Sequence, residues 1–204
     1  MNPTILPVVE GRAEVESVPI LLRRLIAELG EHHVQVTKPF RVSRTAVVRE
    51  GELERSIRQG IRSRPNVGAV LVLLDADDDC PASLGPALLK RAVQVTQLPV
   101  AVVLAKREFE GWFLGAKESL RGKRRIRKNA NAPENPENIR GAKEHLTGNM
   151  TGRGRYVEVD DQPALAQIMD LSLAKRRCPS FGKFCSDISR LLSEMQIDSL
   201  KSNP

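Results

Sequence analysis

Apolar and polar positions alternate between two periods along this chain. Thr4-Ile5-Leu6-Pro7-Val8-Val9 is a short β-prone run closed by Glu10-Gly11, and Pro7 removes one ladder donor. From Ala13 to Leu29 the apolar residues Val18, Leu21, Leu22, Leu25, Ile26 and Leu29 recur at helical spacing, and Gly30 stops them. His33 to Val42 reads as a weaker second strand. Glu52 to Ile61 predicts a helix buried along Leu53, Ile57 and Ile61. Val67 to Leu74 then predicts a central strand whose five consecutive apolar residues, Val70 to Leu74, suit burial on both faces of a parallel sheet. Leu84 to Thr96 is helical, with Pro86 in its first turn. Pro99 to Ala105 is a fourth strand, running through Lys106 and Arg107 into a helix start before Leu114.

Strand and helix thus alternate four times, the pattern of an α/β fold with a parallel four-stranded sheet flanked by helices. Residues 1–116 carry this core. Residues 117–138 are charged and Asn/Pro-rich, and are expected to form a mobile insertion or one ordered by a partner. Residues 139–197 form a C-terminal helical extension packed on the core, with a short helix from Ile139 to Leu146 and amphipathic helices at Pro163 to Ala174 and Phe181 to Met195. Asp198 to Pro204 should fray.

Composition narrows the class. The chain is 41% hydrophobic and 28% charged, ordinary for a globular protein, so its scarce aromatics (3%) leave the core to Leu, Val, Ile and Ala. No apolar run reaches the ~18 residues of a membrane span, and no signal-peptide pattern opens the chain. Cys80, Cys178 and Cys185 show neither disulfide nor zinc spacing, which fits a reducing cytoplasm, and His32, His33 and His145 add no ligand cluster. The net charge of +7 is local: Arg121, Lys123, Arg124, Arg125, Arg127 and Lys128 crowd into eight positions, and without them acids and bases nearly balance. That run suits contacts to a nucleic-acid backbone; a solvated loop is the competing explanation.

The candidate chemistry sits at strand ends. Glu10 follows the first strand, Asp75 and Asp77 the third, and Glu108 and Glu110 the fourth. In a parallel sheet these ends share one edge, where open α/β folds bind ligands. Strand alternation predicts that Asp75 and Asp77 point the same way. Like charges so close repel unless a cation or proton relieves them, and carboxylate oxygens suit Mg²⁺ or Mn²⁺. Glu14, one helical turn beyond Glu10, can join, and only one of Glu108 and Glu110 should face the site. Lys106 is the nearest cation in sequence. The plainer alternative makes the glutamates helix caps and the aspartates a solvated loop.

Val9-Glu10-Gly11 after one strand and Asp75-Ala76-Asp77 after another resemble the TOPRIM domain, a Rossmann-like module of type IA and type II topoisomerases, bacterial primases, small ribosomal-RNA maturation nucleases and OLD-family nucleases. Glu10-Gly11-Arg12-Ala13-Glu14 is most similar to the glutamate-rich OLD form, where a further acid follows the last strand, here Glu110 or Glu108. The segments Ala105 to Leu114 and Pro179 to Phe184 resemble small bacterial TOPRIM-like proteins. The resemblance implies a metal-dependent phosphodiesterase acting on DNA or RNA. Glu10, Glu14, Asp75, Asp77, Glu108 and Glu110 would supply Mg²⁺ or Mn²⁺ ligands, Glu10 the acid/base group, and Lys106 phosphate neutralisation. It also implies a separate ATPase partner, while oligomeric state stays open. The chain lacks a topoisomerase tyrosine domain, a primase zinc domain and a P-loop, so a non-catalytic TOPRIM-like scaffold subunit is the alternative.

Overall fold

The longest strand, β4 (Val67–Asp75), lies inside a five-stranded sheet. In this computed structural model, which describes residues 2–201, β4 pairs on one side with β1 (Thr4–Val9) and on the other with β5 (Val100–Ala105), all parallel. The expected second strand is two short ones, β2 (Gln35–Val36) and β3 (Phe40–Arg41), both parallel to β1. Pro39, which has no N–H to give, stands in the break between them. The count is therefore five strands where the sequence pattern suggests four.

Side chains of β4 alternate between two cores, as a doubly covered sheet requires. Ala69, Leu71 and Leu73 face α1 (Glu14–Glu28) and α9 (Pro179–Lys201). Val70, Val72 and Leu74 face α3 (Glu52–Arg62) and α4 (Pro81–Ala92). The α4 helix starts earlier than its apolar spacing suggests, because Pro81 presets the first-turn backbone; Pro86 then falls inside it. Packing of Leu88 and Ala92 outweighs the lost backbone bond. A one-turn helix, α2 (Arg44–Val47), precedes α3, and α5 (Gly111–Gly115) follows β5.

The later helices are α6 (Ala142–Gly148), α7 (Glu158–Ile168), α8 (Leu171–Arg177) and α9. The single helix expected over Pro163 to Ala174 is broken between α7 and α8. Asp170 caps the second piece, its Oδ1 accepting from Leu173 N at 2.8 Å. The expected loose end is helical as far as Lys201; residues 202–204 lie outside the described residues.

Residues 117–138 are tied to the core rather than set apart from it. Lys117, Leu120, Ile126 and Ala130 are buried, Ile126 forms an antiparallel bridge with Met150, and Glu137 is held by Ser180 N at 3.0 Å. Isolated apolar residues spaced through a polar segment supply these anchors and leave no periodic signal. Among the described residues no helix is long and apolar enough to cross a membrane.

Candidate functional site

The chain leaves β1 toward β2 and β3 on one side and returns through α3 to β4 on the other. The carboxyl ends of β1 and β4 therefore part at a topological switch point, where open α/β sheets form a ligand crevice. Glu10 follows β1 there, and Asp75 is the last residue of β4.

Four carboxylates from four elements meet at this crevice. Glu10 lies in the turn after β1, Glu14 opens α1, Asp75 ends β4, and Glu110 precedes α5. Glu14 and Glu110 are buried. Asp75 Oδ1 accepts from Phe109 N at 2.8 Å, which locks the end of β4 to the chain leaving β5. Glu110 Oε1 accepts from Tyr156 Oη at 2.9 Å and from Gln162 Nε2 at 3.2 Å. The same Gln162 Nε2 lies 3.4 Å from Glu14 Oε1, while Gln162 Oε1 accepts a hydrogen bond from the Ser17 hydroxyl at 2.5 Å. The other oxygens, Oε2 of Glu10, Glu14 and Glu110, are buried without a hydrogen-bond partner. Three orphaned carboxylate oxygens at one crevice are costly unless something charged meets them.

The charges of these groups act on one another. Burial raises the Asp75 carboxyl well above the ordinary aspartate range, and Glu110, Glu14 and Glu10 push it further the same way. Burial raises Glu110 to about 7, against opposing contributions from Lys143, Tyr156 and Gln162. Glu10 is raised by burial, then by Asp77 and Glu14, with Arg44 pulling it back. Burial also raises the Tyr156 phenol, and the Glu110 charge adds to it, so the hydroxyl stays a donor. Lys143 loses some basicity to burial but gains more from Glu110, Glu158 and Asp75, and its Nζ lies 2.6 Å from Glu158 Oε2.

Gly11 makes room for this arrangement. A Cβ there would lie 2.0 Å from Glu14 Oε2, so the carboxylate occupies space that only glycine leaves open. An all-oxygen donor set with orphaned oxygens and this cradle fits a hard divalent cation such as Mg²⁺ or Mn²⁺. Among the described residues no group of three or more His, Cys, Asp or Glu side chains is placed to hold a metal ion, so an ion bound here would have to reposition these carboxylates.

The other expected site residues fall elsewhere. Asp77 does not continue the strand alternation: its φ is +50°, a left-handed turn, and its exposed carboxylate lies 3.5 Å from Arg44 Nε. Its charge still reaches Glu10. Glu108 turns away and caps α6, Oε1 accepting from Gly141 N at 2.9 Å and Ala142 N at 3.2 Å. Of the two glutamates after β5, Glu110 faces the crevice. Lys106 Nζ bonds Asn138 Oδ1 at 2.6 Å, on the side of Glu137 rather than of the acids.

Half of the basic run is spent on contacts within the fold. Arg121 Nε bonds Ala130 O at 2.7 Å, Arg124 Nη2 bonds Asp161 Oδ1 at 2.8 Å, and Arg127 Nε bonds Met150 O at 3.1 Å. Lys123, Arg125 and Lys128 are exposed. Tyr156, Gln162 and Lys143 escape a sequence reading, since they come from helices and loops far beyond the last strand.

Residues 9–189 match the model of a family described as a domain of unknown function, DUF4276. The chain belongs to this family. The matched span begins one residue before Glu10 and takes in every carboxylate of the crevice together with Lys143, Tyr156 and Gln162. No curated protein and no solved structure matches the chain.

Proposed function

We propose that this chain is a TOPRIM-like, metal-dependent phosphodiesterase acting on DNA or RNA, using Mg²⁺ or Mn²⁺ held by Glu10, Glu14, Asp75 and Glu110. The observation that carries the reading is the set of three buried, unpartnered glutamate oxygens gathered around Asp75 at the switch point. The glutamate after the first strand and the acid at the end of the central strand keep the TOPRIM resemblance, with Glu14 and Glu110 supplying the glutamate-rich form. Asp77 stands at the rim beside Arg44.

A bound divalent cation would supply Lewis-acid polarisation of the phosphodiester and charge neutralisation. The protein's own part is positioning. Glu10, the most accessible of the three glutamates as a residue and raised by burial and then by its acidic neighbours, is suited to accept a proton from an attacking water. Tyr156 and Gln162 hold Glu110 Oε1, so that only Oε2 is left to turn toward the crevice. Lys143, held by Glu158, is better placed than Lys106 to offset the cluster's charge. The exposed Lys123, Arg125 and Lys128 suit sequence-independent backbone contacts. A separate ATPase subunit is the partner that the resemblance favours.

One observation favours a non-catalytic, scaffold-type subunit. With Glu110 at about 7 and Asp75 raised, protons alone can relieve part of the repulsion. Cleavage assays on single- and double-stranded DNA and RNA, with Mg²⁺ or Mn²⁺, separate the readings. Metal-dependent cleavage that Asp75→Asn abolishes supports the enzyme. Nucleic-acid or partner binding without cleavage, unchanged by either ion, supports the scaffold.

A further inference from the structure

Beside the acid crevice, two neighbouring strand tails carry non-glycine residues in the left-handed region: Asp77 after β4 at φ +50° and Arg107 after β5 at φ +63°. They are bonded to each other, Asp77 N donating to Arg107 O at 2.9 Å. Such conformations cost free energy and persist where the surroundings fix them, often at functional sites. Here they aim an arginine and an acidic loop at one place. Asp78 Oδ1 lies 2.7 Å from Arg140 Nη2 and 3.4 Å from Arg107 Nη1. Asp79 pairs with Arg44 Nη2, and Asp77 lies 3.5 Å from Arg44 Nε. A cavity of about 170 Å³ opens between Asp77, Asp78, Arg107, Glu108 and Arg140.

Exposure separates the partners. The side chains of Arg44 and Arg107 are only 12% and 28% exposed, whereas those of Asp77, Asp78 and Asp79 are 61%, 72% and 58% exposed. Two of the cations are thus set into the framework and the anions lie over them. Arg44 Nη1 and Arg107 Nε are buried donors without a hydrogen-bond acceptor, and Arg44 Nε meets Asp77 only at ion-pair distance, so the guanidinium groups keep donors to spare. Ion pairs whose acid partner is exposed contribute little, roughly 1 kcal/mol, and an incoming anion can replace them. A phosphodiester offers arginine a charge and a bidentate geometry like those of a carboxylate.

We propose that Arg44, Arg107 and Arg140 form a phosphate-binding rim for the nucleic-acid backbone, and that Asp77, Asp78 and Asp79 cover it as an internal anion which that backbone displaces. The rim rests on the nucleic-acid reading given above, and it places a flanking phosphate of the substrate next to the carboxylate crevice. The acidic loop then acts as a competitor that weakens binding of anything less charged than a polynucleotide.

The test measures anisotropy of a labelled single-stranded oligonucleotide in EDTA, where no cleavage occurs, across a salt series. Asp78→Asn should tighten binding by roughly threefold or more. Glu194→Gln, the same charge change beside Arg190 near the start of β5, should alter it by less than about twofold. Arg107→Gln should weaken binding and make the salt dependence shallower by about one unit of slope. Arg140→Gln, at a side chain 70% exposed and so without consequence for folding, should act in the same direction. Binding by Asp78→Asn no tighter than by Glu194→Gln, or unchanged affinity in both arginine variants, overturns the rim. So does a wild-type protein that does not bind the oligonucleotide. The metal-induced rise in Tm of the wild-type protein reports the carboxylate crevice separately, so that reading stands or falls on its own measurement.

Discussion

Glu14 and Glu110, contributed by the starts of α1 and α5, share one donor: Gln162 Nε2 lies 3.4 Å from the first and 3.2 Å from the second. A helix from the C-terminal extension therefore ties two halves of the acid crevice together, and this couples the extension to the chemistry. Gln162→Met keeps the bulk and removes the donor. It should destabilise the protein by about 1–3 kcal/mol in urea unfolding, because buried acceptors lose their partner. A change near zero would mean that Gln162 does not hold the carboxylates.

Metal-free stability should fall as pH rises through neutrality. Glu110 and Asp75 have raised carboxyl pKa values when folded, so the native state binds more protons than the unfolded chain between the ordinary carboxyl range and about 7. Stability is then greatest on the acid side of that window and is lost as Glu110 ionises near pH 7, by on the order of 3 kcal/mol for that group. Urea unfolding in EDTA at pH 5.5 and pH 8 measures it. Saturating Mg²⁺ should flatten the slope, since a cation competes with protons for the same oxygens. Equal metal-free stability at the two pH values would contradict the shared acid cluster.

Gly11→Ala should weaken the metal response while leaving the fold intact. The new Cβ meets the mobile end of the Glu14 side chain rather than backbone, so the carboxylate moves and the chain does not. The expected result is a Tm close to wild type in EDTA with a smaller rise on adding Mg²⁺. A full metal response would show that the Glu14 position is unimportant to it.

Ile126→Ala should release the basic loop. Ile126 is the apolar anchor between Arg125 and Arg127 and bridges to Met150. Truncation of a buried isoleucine costs about 2–5 kcal/mol, here drawn mainly from the loop's attachment. Limited trypsin digestion should cut faster at Arg124 and Arg125 in the variant than in the wild type. Equal cleavage rates would mean that the segment is not held by this residue.

How far these features were legible in the sequence differs element by element. Val70 to Leu74 is apolar on both faces and Leu21, Leu22 and Leu25 keep helical spacing, so the alternating core is readable from local pattern. Parallel pairing puts Glu10 and Asp75 at one edge, and that followed from strand order. Local pattern fails where tertiary geometry decides. The left-handed turn at Asp77 cancels the alternation that would set it beside Asp75, and Glu108 is drawn off to cap α6. Gln162, Tyr156 and Lys143 come together only through packing of α7 on α1 and of α6 on α5. The basic run reads as one patch, yet Arg121, Arg124 and Arg127 are consumed by backbone and carboxylate partners within the fold.

The most direct measurement of the central claim is the melting temperature of the wild-type protein and of Asp75→Asn, each in EDTA and in millimolar Mg²⁺ or Mn²⁺. If the crevice binds the ion, the wild type gains stability by mass action, about 2.7 kcal/mol at a hundredfold excess over Kd. Asp75→Asn, relieved of one buried charge, should be at least as stable as wild type in EDTA and should lose the metal-induced rise. A wild-type protein whose Tm is the same with and without both ions, or an Asp75→Asn variant that responds to them in full, would contradict a metal-binding role for these carboxylates.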